Sequence, residues 1–153
     1  MNLGFIGTGE ITKAVVKGII NSKIKYNKIF LSKKNKIISK YLSSLNQKIY
    51  VLNDNQEIID KSNLVFLGIT PKVGKKIIKK LNFKKSHIVI SFISTIKLNE
   101  LKKYIKIKCT IVRAIPLPPI SLGVGPVPIF PANKKVKNFF NKIGKTIEIR
   151  NEK

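Results

Sequence analysis

Residues Leu3 to Thr12 read Leu-Gly-Phe-Ile-Gly-Thr-Gly-Glu-Ile-Thr, a short apolar strand that runs into a glycine turn and then a helix. That order of elements is what a dinucleotide's pyrophosphate needs. Gly7 lets the chain reverse at the strand's C-terminal end, and Gly9 has no side chain to hold phosphates away from the amides that open the helix. The helix N-terminus adds partial positive charge. Ile6, Thr8, Glu10 and Ile11 complete the turn and join the glycines as candidate cofactor-binding residues. Glycine pairs also occur in ordinary strand-to-helix turns, so the strand-turn-helix setting carries the weight.

The pattern then repeats. Glu10 to Asn21 carries Ile11, Ala14, Val15 and Ile19 at helical spacing, and Lys28 to Ser32 reads as a second strand. A helix from about Lys36 to Leu45, a strand Lys48 to Leu52 and a short helix from Asp54 to Asp60 follow. Asn63 to Ile69 is nearly continuously apolar, as buried parallel strands are. Helix Lys72 to Leu81, strand His87 to Ile93, helix Leu98 to Tyr104 and strand Cys109 to Arg113 extend the alternation. It predicts an α/β fold of the Rossmann type, a doubly wound, mostly parallel sheet with helices on both faces.

Beyond Arg113 the texture changes. Ile115 to Pro131 holds six of the seven prolines and excludes a regular helix. A last helix, Val136 to Ile143, and a last strand, Thr146 to Ile149, are expected after it. No repeat or linker divides the chain, and 153 residues suit one domain, so residues 1–153 are expected to form a single NAD(P)-binding unit.

With 43% hydrophobic and 25% charged residues, the composition is that of a folded protein. No apolar run approaches the roughly 20 residues of a membrane span, and no leader pattern opens the chain, so no membrane partner and a cytoplasmic location are expected. The single cysteine, Cys109, forms no intrachain disulfide and reads as a small buried hydrophobe. His87 begins a strand and has no second histidine with which to share a metal, so no metal site is expected. Seven acidic residues offer no paired carboxylates for hydrolysis. The net charge of +24 invites a nucleic-acid reading. Against it, the lysines are scattered through every segment, and arginine occurs only at Arg113 and Arg150. Base-reading forks and aromatics interleaved with basic residues are both missing, so no specific nucleic acid is expected. The charge should still attract anions, nucleotides included.

The end of the second strand separates the two nicotinamide cofactors. A carboxylate there would bind the ribose 2′-hydroxyl, whereas basic or small polar residues accommodate a 2′-phosphate. The chain offers Ser32, Lys33 and Lys34 and no carboxylate, which favours NADP (NADPH) over NAD. In a lysine-rich protein the missing acid says more than the lysines present.

Five ordered segments, Gly4 to Gly9, Asp54 to Glu57, Leu64 to Pro71, Ile88 to Phe92 and Val112 to Pro116, give the chain a resemblance to the N-terminal domain of the pyrroline-5-carboxylate reductase family. The resemblance covers essentially the whole length. It implies that Ile69, Thr70 and Pro71 line the cofactor and that Asn55 contacts its ribose side. It also implies hydride transfer between NADPH and a C=N bond in a small cyclic imine, and with that a place in proline biosynthesis.

The chain departs from the family pattern in four ways. Thr12 stands where the glycine fingerprint takes glycine or alanine, so helix and strand must move apart or bury a threonine methyl. Thr70 replaces the lysine usual before that proline. Leu117-Pro118 replaces an Asn-Thr pair, which resembles a divergent branch with a Pro-Leu-Pro-Pro motif. Finally, family members continue into a helical, dimerising domain that supplies most of the substrate pocket, whereas this sequence ends at Lys153. A homo-oligomer or a partner supplying that domain is therefore expected. Ser94, Thr95 and the Pro116 to Pro119 loop could form one wall, although strand-end hydroxyls are also ordinary caps, and the catalytic residues stay unassigned. The alternative is a non-catalytic NADP-binding regulatory module.

Overall fold

The computed structural model describes residues 1–152. Eight strands form one sheet in the order β3-β2-β1-β4-β5-β6-β7-β8. They are β1 (Asn2–Ile6), β2 (Lys28–Ser32), β3 (Ile49–Leu52), β4 (Leu64–Leu67), β5 (Ile88–Ser91), β6 (Thr110–Ala114), β7 (Pro126–Phe130) and β8 (Lys145–Glu148). The helices are α1 (Glu10–Ile20), α2 (Lys36–Leu45), α3 (Asn55–Asp60), α4 (Pro71–Ile78), α5 (Leu98–Ile105) and α6 (Lys134–Phe140). Strands β1 to β6 are all parallel, and the order reverses at the β1–β4 pair, Leu3 opposite Leu64 and Ile6 opposite Leu67.

Alternation along the strands feeds two cores, one on each face. Leu3, Phe5, Phe66, Ile90 and Val112 face α1, α2 and α6, while Ile6, Val65, Leu67, Val89 and Ile111 face α3, α4 and α5. The Phe5 and Phe66 rings stack 4.4 Å apart at the centre of the first core, with Phe139 of α6 tilted against Phe66 at 5.6 Å. Burying each such ring contributes about 1.5–3 kcal/mol. The cores rigidify the β1–β4 junction, above which the glycine turn sits.

The proline-rich segment holds no regular helix, as expected, but it contains a strand that the sequence did not reveal. It contains a short 3-10 turn, Pro118–Leu122, and then β7, which runs antiparallel to β6 and parallel to β8. The prolines are tolerated inside the sheet because of where their missing N–H groups point. The carbonyls of Gly125 and Ile129 accept from Lys145 and Ile149 of the β8 segment, while the Pro128 carbonyl accepts from Ile115 at 3.0 Å. The odd positions therefore serve the β8 ladder, and the prolines face β6, whose ladder with β7 has only two registered pairs. The 3-10 turn lies across α1, so close that a Cβ on Gly18 would come within 2.4 Å of the Ile120 carbonyl.

His87 and Cys109 take structural places. The His87 Nδ1 accepts the Lys84 N–H at 2.8 Å, and Nε2 lies 3.0 Å from the Ile59 carbonyl, which requires the neutral Nε2–H tautomer and occupies both nitrogens. Cys109, expected to be buried, is only half-buried just before β6, and that partial burial raises its thiol above the ordinary pKa, which disfavours the reactive thiolate. No described helix is long and apolar enough to cross a membrane.

Candidate cofactor site

Gly7 follows β1 at φ 96°, a conformation that L side chains rarely adopt, and a Cβ there would lie 2.4 Å from the Gly68 carbonyl oxygen. Both of its backbone polar groups are bonded. Its N–H donates to Ser32 Oγ at 2.9 Å, and its carbonyl accepts the Thr12 hydroxyl at 2.8 Å. The Thr8 hydroxyl donates to the Ser32 carbonyl at 3.1 Å. The turn is therefore tied to β2 on one side and to α1 on the other.

Thr12 is fully buried, not spaced away from the sheet. Room for it comes from Gly68, where a Cβ would meet the Thr12 Oγ1 at 2.5 Å. Gly68, read from sequence only as part of an apolar run, thus provides the small residue that the fingerprint places at position 12. Its signal was a glycine at the end of a buried strand.

Gly9 is the N-cap of α1 in extended geometry, and a Cβ on it would touch nothing within 4 Å. No side chain caps the helix, so the amides of Glu10, Ile11 and Thr12 in its first turn remain available. Helix α4 starts the same way, with Thr70 as an N-cap that makes no side-chain bond and Pro71 in the first turn, where its missing N–H costs nothing. Both helix starts border one cavity of about 330 Å³, lined by Gly7, Thr8, Gly9, Gly68, Ile69 and Thr70 among others. Two uncapped helix N-termini facing one opening suit an anion.

A neighbouring cavity of about 320 Å³ brings together Ile6, Gly7, Ser32, Lys33, Lys34 and Asn55, with Lys36, Asn53, Ile69 and Ile77 completing it. Lys34 lines both cavities. The sequence reading missed Lys36 and Asn53. Pro71, Glu10 and Ile11 line neither cavity and sit at helix starts, where Glu10 is exposed. Together the cavities border two uncapped helix starts, suited to a pyrophosphate, and present lysines without a carboxylate, suited to a further phosphate. The residues present fit a phosphorylated dinucleotide.

A larger cavity, about 930 Å³, lies at the opposite ends of the strands, around Met1, Asn27, Asn63 and Ile88 where strands begin. Ligands of open parallel sheets bind beyond the carboxyl ends of the strands, at the point where strand order reverses, which makes the two smaller cavities the candidate site. Ser94 and Thr95 are exposed beyond β5, and neither they nor Pro116 to Pro119 line the two cavities. Arg113 instead bonds the Ser94 carbonyl at 2.6 Å and pairs with Glu152, whose carboxylate also accepts the Leu98 N–H at 2.9 Å.

Residues 2–95 match the family model described as NADP oxidoreductase, coenzyme F420-dependent. The chain belongs to that family.

Among relatives of this oxidoreductase-family chain is pyrroline-5-carboxylate reductase of Arabidopsis thaliana, 26% identical over 130 residues, which cover 79% of this chain and 44% of the relative. The reductase of Staphylococcus haemolyticus is 26% identical over 161 residues, covering 97% and 59%. The chain spans about half the length of the curated relatives it matches. Solved structures give the same fold. Streptococcus pyogenes 1-pyrroline-5-carboxylate reductase superposes with a TM-score of 0.82 at 22% identity, covering 98% of this chain and 58% of that one. Plasmodium falciparum pyrroline carboxylate reductase with NADP bound also gives 0.82, at 21% identity, covering 98% and 58%. This chain is an NAD(P)-dependent oxidoreductase domain similar to those reductases.

Proposed function

We propose that this chain binds NADP and forms the cofactor half of a cytoplasmic reductase that delivers hydride to the C=N bond of a small cyclic imine. The observation that carries the reading is the convergence of the uncapped α1 and α4 starts on a cleft whose β2 side ends in Lys33 and Lys34 without a carboxylate. The amides of Glu10, Ile11 and Thr12 hold the pyrophosphate. Lys33 and Lys34 neutralise the 2′-phosphate, and Asn55 reaches the ribose. Ile69 and Thr70 form the wall along which the cofactor lies, with Pro71 opening α4 after them.

When bound, the nicotinamide supplies the hydride, and the protein's contribution is orientation and electrostatics. The cleft's titratable side chains are lysines of the adenosine end, so the proton for the reduced nitrogen comes from solvent or from protein beyond residues 1–153. The imine carbon must be held against the ring, because placement supplies much of the rate. A helical domain in a longer chain, a second copy or a partner completes that half of the site. The names of the relatives support the cyclic imine.

Titration of NADPH fluorescence, followed by oxidation with pyrroline-5-carboxylate, tests the reading. NADPH binding tighter than NADH, with turnover, is expected of the completed enzyme. Absence of binding overturns the cofactor assignment. Tighter NADH overturns the 2′-phosphate assignment, and NADPH binding without turnover in the completed assembly supports a regulatory module instead.

A further inference from the structure

Ser32 stands between the two halves of the cleft. It is the last residue of β2 and directly precedes Lys33 and Lys34, yet its bonds run toward the glycine turn. Its buried Oγ accepts the Gly7 N–H at 2.9 Å, and its carbonyl accepts the Thr8 hydroxyl at 3.1 Å. Ser32 also lines the cavity that holds Lys33, Lys34 and Asn55. The opposite side of the Gly7 residue is fixed by the Thr12 hydroxyl on its carbonyl at 2.8 Å. Ser32 is therefore the β2 end of a chain of bonds that runs through the turn into α1.

We propose that Ser32 is a positioning residue that couples the β2 end to the pyrophosphate subsite, acting through Gly7 and not as a simple 2′-phosphate contact. The proposal rests on the cofactor reading given above. Without the hydroxyl, the Gly7 amide is buried with no acceptor, and its peptide gains by rotating toward water. A rotated turn no longer presents the first-turn amides of α1 to the phosphates. Affinity then falls by the fraction of molecules that keep the competent turn, whatever the ligand carries at its 2′ position. Lys33 and Lys34 act differently, because their charge is felt only by a ligand that has the 2′-phosphate.

The experiment compares dissociation constants for NADPH and NADH in the wild type, Ser32→Ala, Thr8→Val and the double variant Lys33→Ala/Lys34→Ala, with thermal melts as a folding control. Ser32→Ala is expected to weaken both nucleotides by the same factor, about tenfold, as for a lost buried hydrogen bond, and to leave their ratio unchanged. Thr8→Val cuts the second tie and keeps the Ser32 hydroxyl, and should weaken both by about threefold. The double lysine variant should weaken NADPH and spare NADH. In ³¹P spectra of bound NADPH, Ser32→Ala and Thr8→Val should move the pyrophosphate resonances and leave the 2′-phosphate in place.

Weakening of NADPH alone in Ser32→Ala, or of neither nucleotide, overturns the coupling. If Ser32→Ala does not fold, Thr8→Val decides, and an unchanged affinity with unchanged pyrophosphate resonances overturns it. Failure of the wild type to bind either nucleotide overturns the cofactor reading and this inference with it. Normal wild-type binding with an unaffected Ser32→Ala overturns the coupling alone.

Discussion

The helices of this fold begin in two different ways. Helices α2, α3 and α6 start with Asn35, Asp54 and Asn133, whose side chains accept the N–H of Ile38, Gln56 and Val136. Helices α1 and α4 start with Gly9 and Thr70, which make no side-chain cap bond. The self-capped starts have spent part of their N-terminal potential on their own side chains. The uncapped pair opens onto one cavity beside the β1–β4 junction. Helix α5 is intermediate, its Leu98 N–H being satisfied from 54 residues away by Glu152. An N-cap glycine gives up only a few tenths of a kcal/mol against a capping side chain, and a cap that makes no bond up to about 1 kcal/mol, so under the proposed function the anion takes the place of the cap at little cost to the fold.

The strongest way to break the contrast is at Gly7. Gly7→Ala adds left-handed strain to an overlap with the Gly68 backbone, and the two together should cost about 4 kcal/mol. Urea denaturation should show a lowered midpoint, and nucleotide binding should be lost even where the fold survives. An unfolding free energy within 1 kcal/mol of wild type would mean that the turn is not held by this packing.

Glu152→Ala tests the intermediate case. It removes the acceptor of the Leu98 amide and leaves the Arg113 guanidinium, already carrying a buried unpaired Nε, without its carboxylate. Breaking such a pair should destabilise by about 3 kcal/mol, the low end for buried pairs because both side chains keep some exposure. The double variant Glu152→Ala/Arg113→Met should recover part of the loss, and no recovery would show that the two residues act independently.

Strands β1 to β6 could be read from the sequence because most are nearly unbroken apolar runs, and the helices between them from apolar positions at helical spacing. The glycine turn was legible from its setting, two glycines between an apolar strand and a helix. Strand β7 was not legible, because Pro126 and Pro128 forbid ladder donors, and only the assembled sheet shows that their positions need none on the β6 side. Helix α6 begins two residues earlier than expected, because Asn133 caps it before the apolar spacing starts. At the site, Ser32 was legible as the end of β2 but its bond to Gly7 was not, since the partners lie 25 residues apart. Gly68 was hidden in the same way, its purpose being room for Thr12 on another element.

Gly9→Asp sharpens the comparison most directly, because it gives α1 the kind of cap that α3 has. Gly9 sits at φ −86° and ψ −167°, extended geometry of the kind Asp54 holds at φ −113° and ψ 122°, and a Cβ there meets nothing. The variant should fold with melting unchanged or raised by a few tenths of a kcal/mol, since glycine is itself only slightly worse as an N-cap. NADPH affinity should fall about 100-fold, because a carboxylate now occupies the amides and repels the phosphates. Retained affinity would show that the α1 start does not hold the pyrophosphate.

The smallest effect belongs to the self-capped side. Asp54→Ala removes the acceptor of the Gln56 amide, bonded at 3.1 Å, and should lower stability by about 1 kcal/mol. Helix α3 is also held by Gln56, whose side chain bonds both the N–H and the carbonyl of Asn82 at 2.8 Å, so the helix should fray at its first turn without detaching. Asn55, the first residue of that turn, lines the cavity beside Lys33 and Lys34. If Asn55 reaches the ribose, fraying should weaken NADPH and NADH alike, by about threefold. A stability loss with both affinities unchanged would separate the cap from the site and remove Asn55 from the binding residues.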